Sequence, residues 1–175
     1  MESIEYFQTE RLTARRISAA DFELLDRLNR NPTVMATLGG LRSAEETREF
    51  LDASRGHWDR HGYGIWILKD LASGEFAGRA GLRNVEVEGV AEVEVLYALM
   101  PEFWRAGLAS EITNQLISIA FNRLGLPSVV AFTLPGNRAS RRVMEKSGLM
   151  FERQIVHAGA HHVLYRVQRP QAADS

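Results

Sequence analysis

The stretch from Glu92 to Ala109, EVEVLYALMPEFWRAGLA, admits few arrangements other than a strand, a sharp turn and a helix in that order. Glu92 to Met100 is a short apolar run containing β-branched residues, and Pro101 ends it. After Gly107, the residues Leu108, Ile112, Leu116, Ile119, Ala120 and Leu124 recur at spacings of three and four, as on one helix face. A strand, a turn containing Gly and Ala, and a helix N-terminus leave backbone N–H groups free, and the helix dipole adds partial positive charge beside them. Such a place suits an anion, and small residues let the backbone approach it closely.

Neither the G-x-G-x-x-G pattern of dinucleotide folds nor the G-x-x-x-x-G-K-[ST] pattern of P-loops occurs. On its own the segment also reads as an ordinary strand-to-helix connection. A second segment adds information. Ser128 to Leu134 (SVVAFTL) reads as a buried strand, followed by Pro135-Gly136, Asn137 at an N-cap position, a helical run to Ser147, and Gly148 at a helix end.

The stretch TLPGNRASRRVMEKSGLMFE resembles the N-x-x-S…EK-x-G-F-x-x-E signature of the Gcn5-related N-acetyltransferases, most closely their RimJ/RimL-like branch. Thr9 to Arg15 (TERLTAR) is similar to that branch's T-E-R-L-x-L-R start. Glu94-Val95-Leu96-Tyr97 is similar to its E-x-G-Y strand, and Trp104 to Ala109 to its W-G-K-G-Y-A acetyl-CoA loop. The resemblance runs from about Thr9 to Arg169. It implies a mixed α/β fold, with a central, mostly antiparallel, twisted sheet of about six to seven strands flanked by about four helices. It also implies acetyl-CoA as co-substrate and an amine as acceptor. The acceptor is either a protein N-terminal α-amine or a small molecule such as a polyamine, amino acid or antibiotic. A non-catalytic CoA-binding regulatory module on the same fold is the third reading.

By the same resemblance the cofactor-binding residues are Leu96, Tyr97, Ala98 and Leu99 on the strand, Trp104, Arg105, Ala106, Gly107, Leu108 and Ala109 in the loop, and Asn137, Ser140 and Arg142 near the last helix. In the loop the contacts are expected from backbone N–H groups. The sequence departs from the family at Arg105 and Ala106, where Gly and Lys or Arg are common. Tyr97 and Trp104 read equally as core aromatics. Arg138, Arg141, Arg142 and Lys146 form a solvated helix face, and one of the three arginines is a partner for the adenosine 3′-phosphate.

Two residues are candidates for proton transfer. Glu92 and Glu94 fall on one strand face, two residues apart. They read either as solvated carboxylates or as the site of a base, with Glu94 preferred, taking a proton from the substrate ammonium directly or through water. Burial beside a second carboxylate is one way to bring such a base towards neutral pH. Many members of the superfamily carry a Tyr seven residues after the Asn, as the acid for the departing thiolate. That position is Met144 here, which cannot donate a proton. The RimJ/RimL-like branch points instead to Ser140, which otherwise reads as a surface helix residue.

Composition bears on mechanism and partners. The 175 residues include no cysteine, which excludes disulfides, zinc fingers and an acetyl-cysteine intermediate, and leaves direct attack of the amine on the thioester as the simplest route. A net charge of −1 gives no bulk attraction for nucleic acid. No apolar run is long enough to span a membrane, and the start MESIEYFQTE has no signal-peptide pattern, so a cytoplasmic location is expected. A second copy of the chain is an optional partner. His57 and His61, at H-x-x-x-H spacing, invite a metal reading, as do His157, His161 and His162; with no cysteine and no H-E-x-x-H, no metal site is assigned.

Along the chain, Arg11 to Ile17 reads as a strand and Asp21 to Asn29 as a helix. Ser43 with Glu46 reads as a capping box opening a helix towards Trp58. Gly64 to Lys69 and Phe76 to Leu82 read as a hairpin around Ala72-Ser73-Gly74, and two last strands follow the final helix. Gln168 to Ser175 (QRPQAADS) lacks any pattern; residues 1–169 are taken as a single domain and 170–175 as a disordered tail. The acceptor pocket is expected between the first two helices and the last hairpin.

Overall fold

Eight strands form one continuous open sheet, and the computed structural model describes residues 3–172 of the chain. The strands are β1 (Tyr6–Gln8), β2 (Leu12–Arg16), β3 (Ile65–Asp70), β4 (Phe76–Val87), β5 (Val90–Leu99), β6 (Ser128–Thr133), β7 (Met150–His157) and β8 (Ala160–Gln168). The helices are α1 (Phe22–Asn29), α2 (Pro32–Met35), α3 (Ala44–His61), α4 (Leu108–Asn122) and α5 (Arg138–Lys146). The sheet order is β1-β2-β3-β4-β5-β6-β8-β7. Every neighbouring pair is antiparallel except β5 and β6, which run parallel.

The mixed α/β, mostly antiparallel architecture is the one expected, with one strand and one helix more among the described residues. The extra strand is β1, three residues too short to show a period, held by pairing to β2. The extra helix is the single turn α2, opened by Pro32 and capped by the Asn31 side chain. The hairpin partner expected to stop at Leu82 continues to Val87. It meets β5 through Glu88-Gly89, where both residues have positive φ (48° and 82°), as a two-residue type I′ turn requires. The Ser43–Glu46 capping box is present in both directions, and α3 runs on to His61, where Gly62 in the left-handed region ends it. Gln168 belongs to β8, opposite Ser128, and the Arg169 N–H donates to Pro127 O. The tail expected from 170 onward reaches residues 173–175, which lie outside the described residues.

The two faces of the sheet carry different helices. Arg79 on β4 stands opposite Ala98, and its guanidinium lies over the Phe50 ring of α3. The next residue along β5, Tyr97, reaches Ser140 of α5. Successive strand residues point to opposite faces, so α3 and α5 cover opposite sides. The core between sheet and helices is built from Leu12, Leu25, Leu28, Trp66, Leu68, Leu82, Ile112 and Leu116, all essentially buried. Gly78 lets β4 approach β5: at φ 148° a Cβ there would fall 2.1 Å from Ala98 O.

His57 is a structural residue of this frame. Its Nδ1–H donates to Tyr63 O at 2.8 Å, and its Nε2 accepts the Asn84 backbone N–H at 3.0 Å, so neither ring nitrogen is left for a metal. Among the described residues no group of three or more His, Cys, Asp or Glu side chains is placed to hold one. Burial pushes the His57 pKa below its ordinary value, against the opposing pull of its hydrogen bonds. The unfolded chain therefore binds a proton at His57 more readily than the folded one. Stability is level above the unfolded pKa, about 6.5, and falls as pH drops below it. The thermal midpoint, followed by circular dichroism, should be flat from pH 8 to 6.5 and decline from 6.5 to 5. His57→Gln should lower stability at pH 8 by about 1–3 kcal/mol, through unpaired buried backbone groups, and lessen that decline. A wild-type midpoint independent of pH over the whole range would contradict the assignment.

Candidate active site

The parallel pair β5 and β6 shares a single register position, Glu94 with Val130. Both strands continue with full partners on their other sides, β5 along β4 and β6 along β8. Beyond Glu94 the two diverge. Leu96, Tyr97, Ala98 and Leu99, all expected to meet the cofactor, lie on the stretch of β5 that has no β6 neighbour. A strand edge inside a sheet but without a strand beside it offers its N–H and C=O groups to an extended, amide-bearing ligand.

The loop after β5 ends this wedge. Trp104 turns back and donates its Nε1–H to Leu99 O at 2.8 Å, with the ring 43% exposed. Arg105 has φ 60° and Gly107 has φ 80°, so two residues of the loop are left-handed. The extra Cβ at 105 is accommodated at that strained angle. Among the described residues no N–H group of residues 105–110 has a hydrogen-bond partner. Gly107 is the N-cap of α4 and contributes no side-chain cap. Arg105, Ala106, Gly107, Leu108, Ala109 and Ser110 thus present a run of free donors at the positive end of a fifteen-residue helix.

Residues from the chain's start brace this loop. Glu111, in the first turn of α4, accepts the Thr9 hydroxyl at 2.6 Å, the Arg11 N–H at 2.8 Å and Arg11 Nε at 2.8 Å. Arg11 also donates to Ala106 O at 2.7 Å. Burial pushes the Glu111 carboxyl up, but these donors outweigh it and hold the pKa below the ordinary value. The Thr9–Arg15 stretch, read from the sequence only as a family marker, therefore has a physical task at the loop.

Glu94 is 5% exposed, not a solvated strand residue. The expected pairing of two carboxylates is not what surrounds it. Arg83, directly opposite on β4, donates to Glu94 Oε2 at 2.6 and 3.2 Å. Glu94 Oε1 accepts nothing from the described residues. Glu92 is held separately by Arg166, at 2.6 and 2.9 Å. Hydrogen bonds with Glu92 and Glu152 raise the Arg166 pKa further above its ordinary value. Arg83 was missed as a site residue. Counting outward from the Glu88-Gly89 turn finds it, since 83 and 94 are equidistant from that turn.

The hydroxyls of Tyr97 and Ser140 meet at 3.0 Å across the mouth of the wedge. Ser140 is positioned by Asn137, which caps α5 by accepting the Ser140 N–H at 3.2 Å. Burial raises the Tyr97 pKa, partly offset by the Ser140 hydroxyl, so the phenol keeps its proton at neutral pH. Met144, one turn further, is buried in the core. Of the three arginines of α5, Arg141 is bound to Tyr165 Oη and Pro135 O, whereas Arg138 and Arg142 are exposed and have no partner among the described residues.

An acyl thioester on a pantetheine arm and a pyrophosphate fit these features: an open strand edge for the amides of the arm, and a run of free N–H groups for the phosphates. Comparison with known proteins agrees. Residues 11–150 match the acetyltransferase (GNAT) domain family. The chain is 30% identical over 148 residues to the Bacillus subtilis protein YkkB, covering 84% of this chain and 86% of that one. A crystal structure of an acetyltransferase from Agrobacterium tumefaciens superposes with a TM-score of 0.84 at 26% identity, over 96% of each chain. RimL, a ribosomal-protein α-N-acetyltransferase solved in complex with coenzyme A, shares the fold with a TM-score of 0.78 at 20% identity, over 94% of this chain and 98% of its own. The chain belongs to the GNAT family and is an acetyl-CoA-dependent acetyltransferase.

Proposed function

We propose that the protein transfers acetyl from acetyl-CoA to a primary amine by direct attack within a ternary complex, in the manner of the RimJ/RimL-like branch, and that it acts in the cytoplasm. The observation that carries this reading is the wedge itself. An open β5 edge, free loop N–H groups, a buried carboxylate on one face and a hydroxyl pair on the other gather where β5 parts from β6. The thioester supplies the activated acyl group. Backbone N–H groups at 105–110 hold the pyrophosphate, the edge of β5 at Leu96–Leu99 aligns the arm, and Asn137 and Arg142 meet its other parts.

Glu94 takes the proton. Arg83 occupies Oε2 and fixes the carboxylate, while Oε1 is left to accept from the ammonium or from an intervening water. The amine nitrogen then forms its bond to the carbonyl carbon, the carbon–sulfur bond breaks, and the electron pair leaves on sulfur. Ser140, hydrogen-bonded to Tyr97, passes its proton to that sulfur, and the second proton of the attacking nitrogen, lost as the amide forms, restores the Ser140 hydroxyl through water. The absence of cysteine supports a single transfer without an acyl-enzyme.

Two measurements test this. Gly107→Val should abolish CoA binding by calorimetry while leaving the far-UV spectrum intact, because a β-branched residue is strained at φ 80° and crowds the free N–H groups. Wild-type affinity in that variant would move the phosphate site elsewhere. In steady-state kinetics, double-reciprocal plots should intersect. Glu94→Gln should lower kcat about 100-fold with CoA affinity nearly unchanged, and Ser140→Ala should lower kcat more than it weakens CoA binding. Parallel plots would indicate an acyl-enzyme, and a full-rate Glu94→Gln protein would remove the base from this position.

A further inference from the structure

Arg79 is a half-buried cation with no counterion among the described residues. Its Nε is out of reach of solvent and has no hydrogen-bond partner, and among the described residues the guanidinium makes no hydrogen bond or ion pair. The guanidinium lies over the face of Phe50, with Cζ 4.7 Å from the ring centroid. Nearly every other buried charge of the frame is matched: Asp21 by Arg15, Glu94 by Arg83, Glu92 by Arg166. Burial, with the like charges of Arg83 and Arg42, lowers the Arg79 pKa to about 10, and Glu94 is the only carboxylate opposing that shift. It therefore remains charged at neutral pH. A buried donor without a partner, on a guanidinium whose outer end stays open to solvent, is costly to leave unmet and is placed to be met by a ligand.

Its place shows which ligand. Arg79 and Arg83 lie on one face of β4, and Glu94 lies on the same face of β5, with Gly81 and Leu96 paired between them. Arg42, which leads into α3 and has no ion pair, adds a further positive charge, shared with Glu46 of the capping box. This is the α1–α3 side of the sheet, opposite the face where Tyr97 meets Ser140. The carboxylate that receives the acceptor's proton thus shares a face with a guanidinium that lacks an anion.

Resting on the acetyltransferase reading above, we propose that the acceptor amine carries a carboxylate, bound by Arg79 with Arg42 beside it, while its amino group faces Glu94. The chemical class is an amino acid or an acidic chain start: one end cationic, the other anionic. A guanidinium binds a carboxylate through paired N–H donors, and the Phe50 ring holds the guanidinium plane in position. Arg79 serves here as a binding residue for the acceptor, not for CoA.

The test pairs acceptors that differ only in the anion, with acetyl-CoA consumption as readout. One arm sets free amino acids against their carboxamides. The other sets peptide amides beginning with Asp or Glu against those beginning with Asn or Gln. In one of these arms the carboxylate-bearing member should have the higher kcat/KM, by about 10- to 100-fold, and the arm showing it identifies the source of the carboxylate. Arg79→Met should bring the kcat/KM ratio within that pair close to one, and Arg79→Lys should restore part of the preference. Equal rates within every wild-type pair would overturn the proposal, whether or not the variants fold. So would a preference that survives Arg79→Met. Calorimetry with CoA separates the two levels: a protein that binds CoA but acetylates no member of either arm refutes the acceptor assignment, and one that does not bind CoA refutes the acetyltransferase reading beneath it.

Discussion

Everything in the site depends on two parallel strands that touch at one residue pair and then part. β5 and β6 meet at Glu94 and Val130, and each is secured on its other side by an antiparallel neighbour. The sheet can therefore open locally without losing its continuity. An edge strand normally invites aggregation. Here the edge is internal, roofed at its end by the Trp104 indole bonded to Leu99 O. The same parting brings Tyr97 of β5 and Ser140 of α5 within hydrogen-bond distance, and it leaves Glu94 at the apex, buried and ion-paired. Binding groups and chemical groups thus share a single backbone feature.

The loop at 105–110 is held by charges distant in sequence. A run of unsatisfied N–H groups is an unfavourable arrangement in the free protein, since each donor and the helix dipole repel one another. Glu111 and Arg11 offset this. The Glu111 carboxylate sits in the first turn of α4, where negative charge is favourable, and Arg11 ties it to Ala106 O. The loop is consequently preorganised, and little conformational entropy is lost when a phosphate arrives. On the proposed acceptor side Arg79 would follow the same principle, a charge placed in advance of its partner.

Much of this was legible in the sequence, and the limits have physical causes. The strand–turn–helix at Glu92 to Ala109, the Ser43–Glu46 capping box and the Asn137 cap are local signals, readable because each involves residues a few positions apart. The pairing of Glu92 with Arg166 joins residues 74 positions apart, and only the β5-β6-β8 order brings them together. The Tyr97–Ser140 contact depends on how far the wedge opens, which no periodicity encodes. The strand expected to end at Leu82 runs on through the polar residues Arg83, Asn84 and Glu86. In the fold Asn84 and Glu86 are the exposed face of the continuing strand, and Arg83, on the other face, fixes the orientation of the proposed base. Arg79 carries no signal in the sequence, since a cation without a counterion is defined only by its surroundings.

The central claim is that the free N–H groups of residues 105–110 receive the pyrophosphate of CoA. Hydrogen–deuterium exchange read by mass spectrometry addresses those amides directly. Peptides covering 105–110 should exchange rapidly in the free protein and become strongly protected with saturating CoA. Pantetheine, which has no phosphate, should protect the β5 segment at most and leave the loop unchanged. Unaltered exchange at 105–110 with CoA bound, or equal protection by pantetheine, would contradict the assignment.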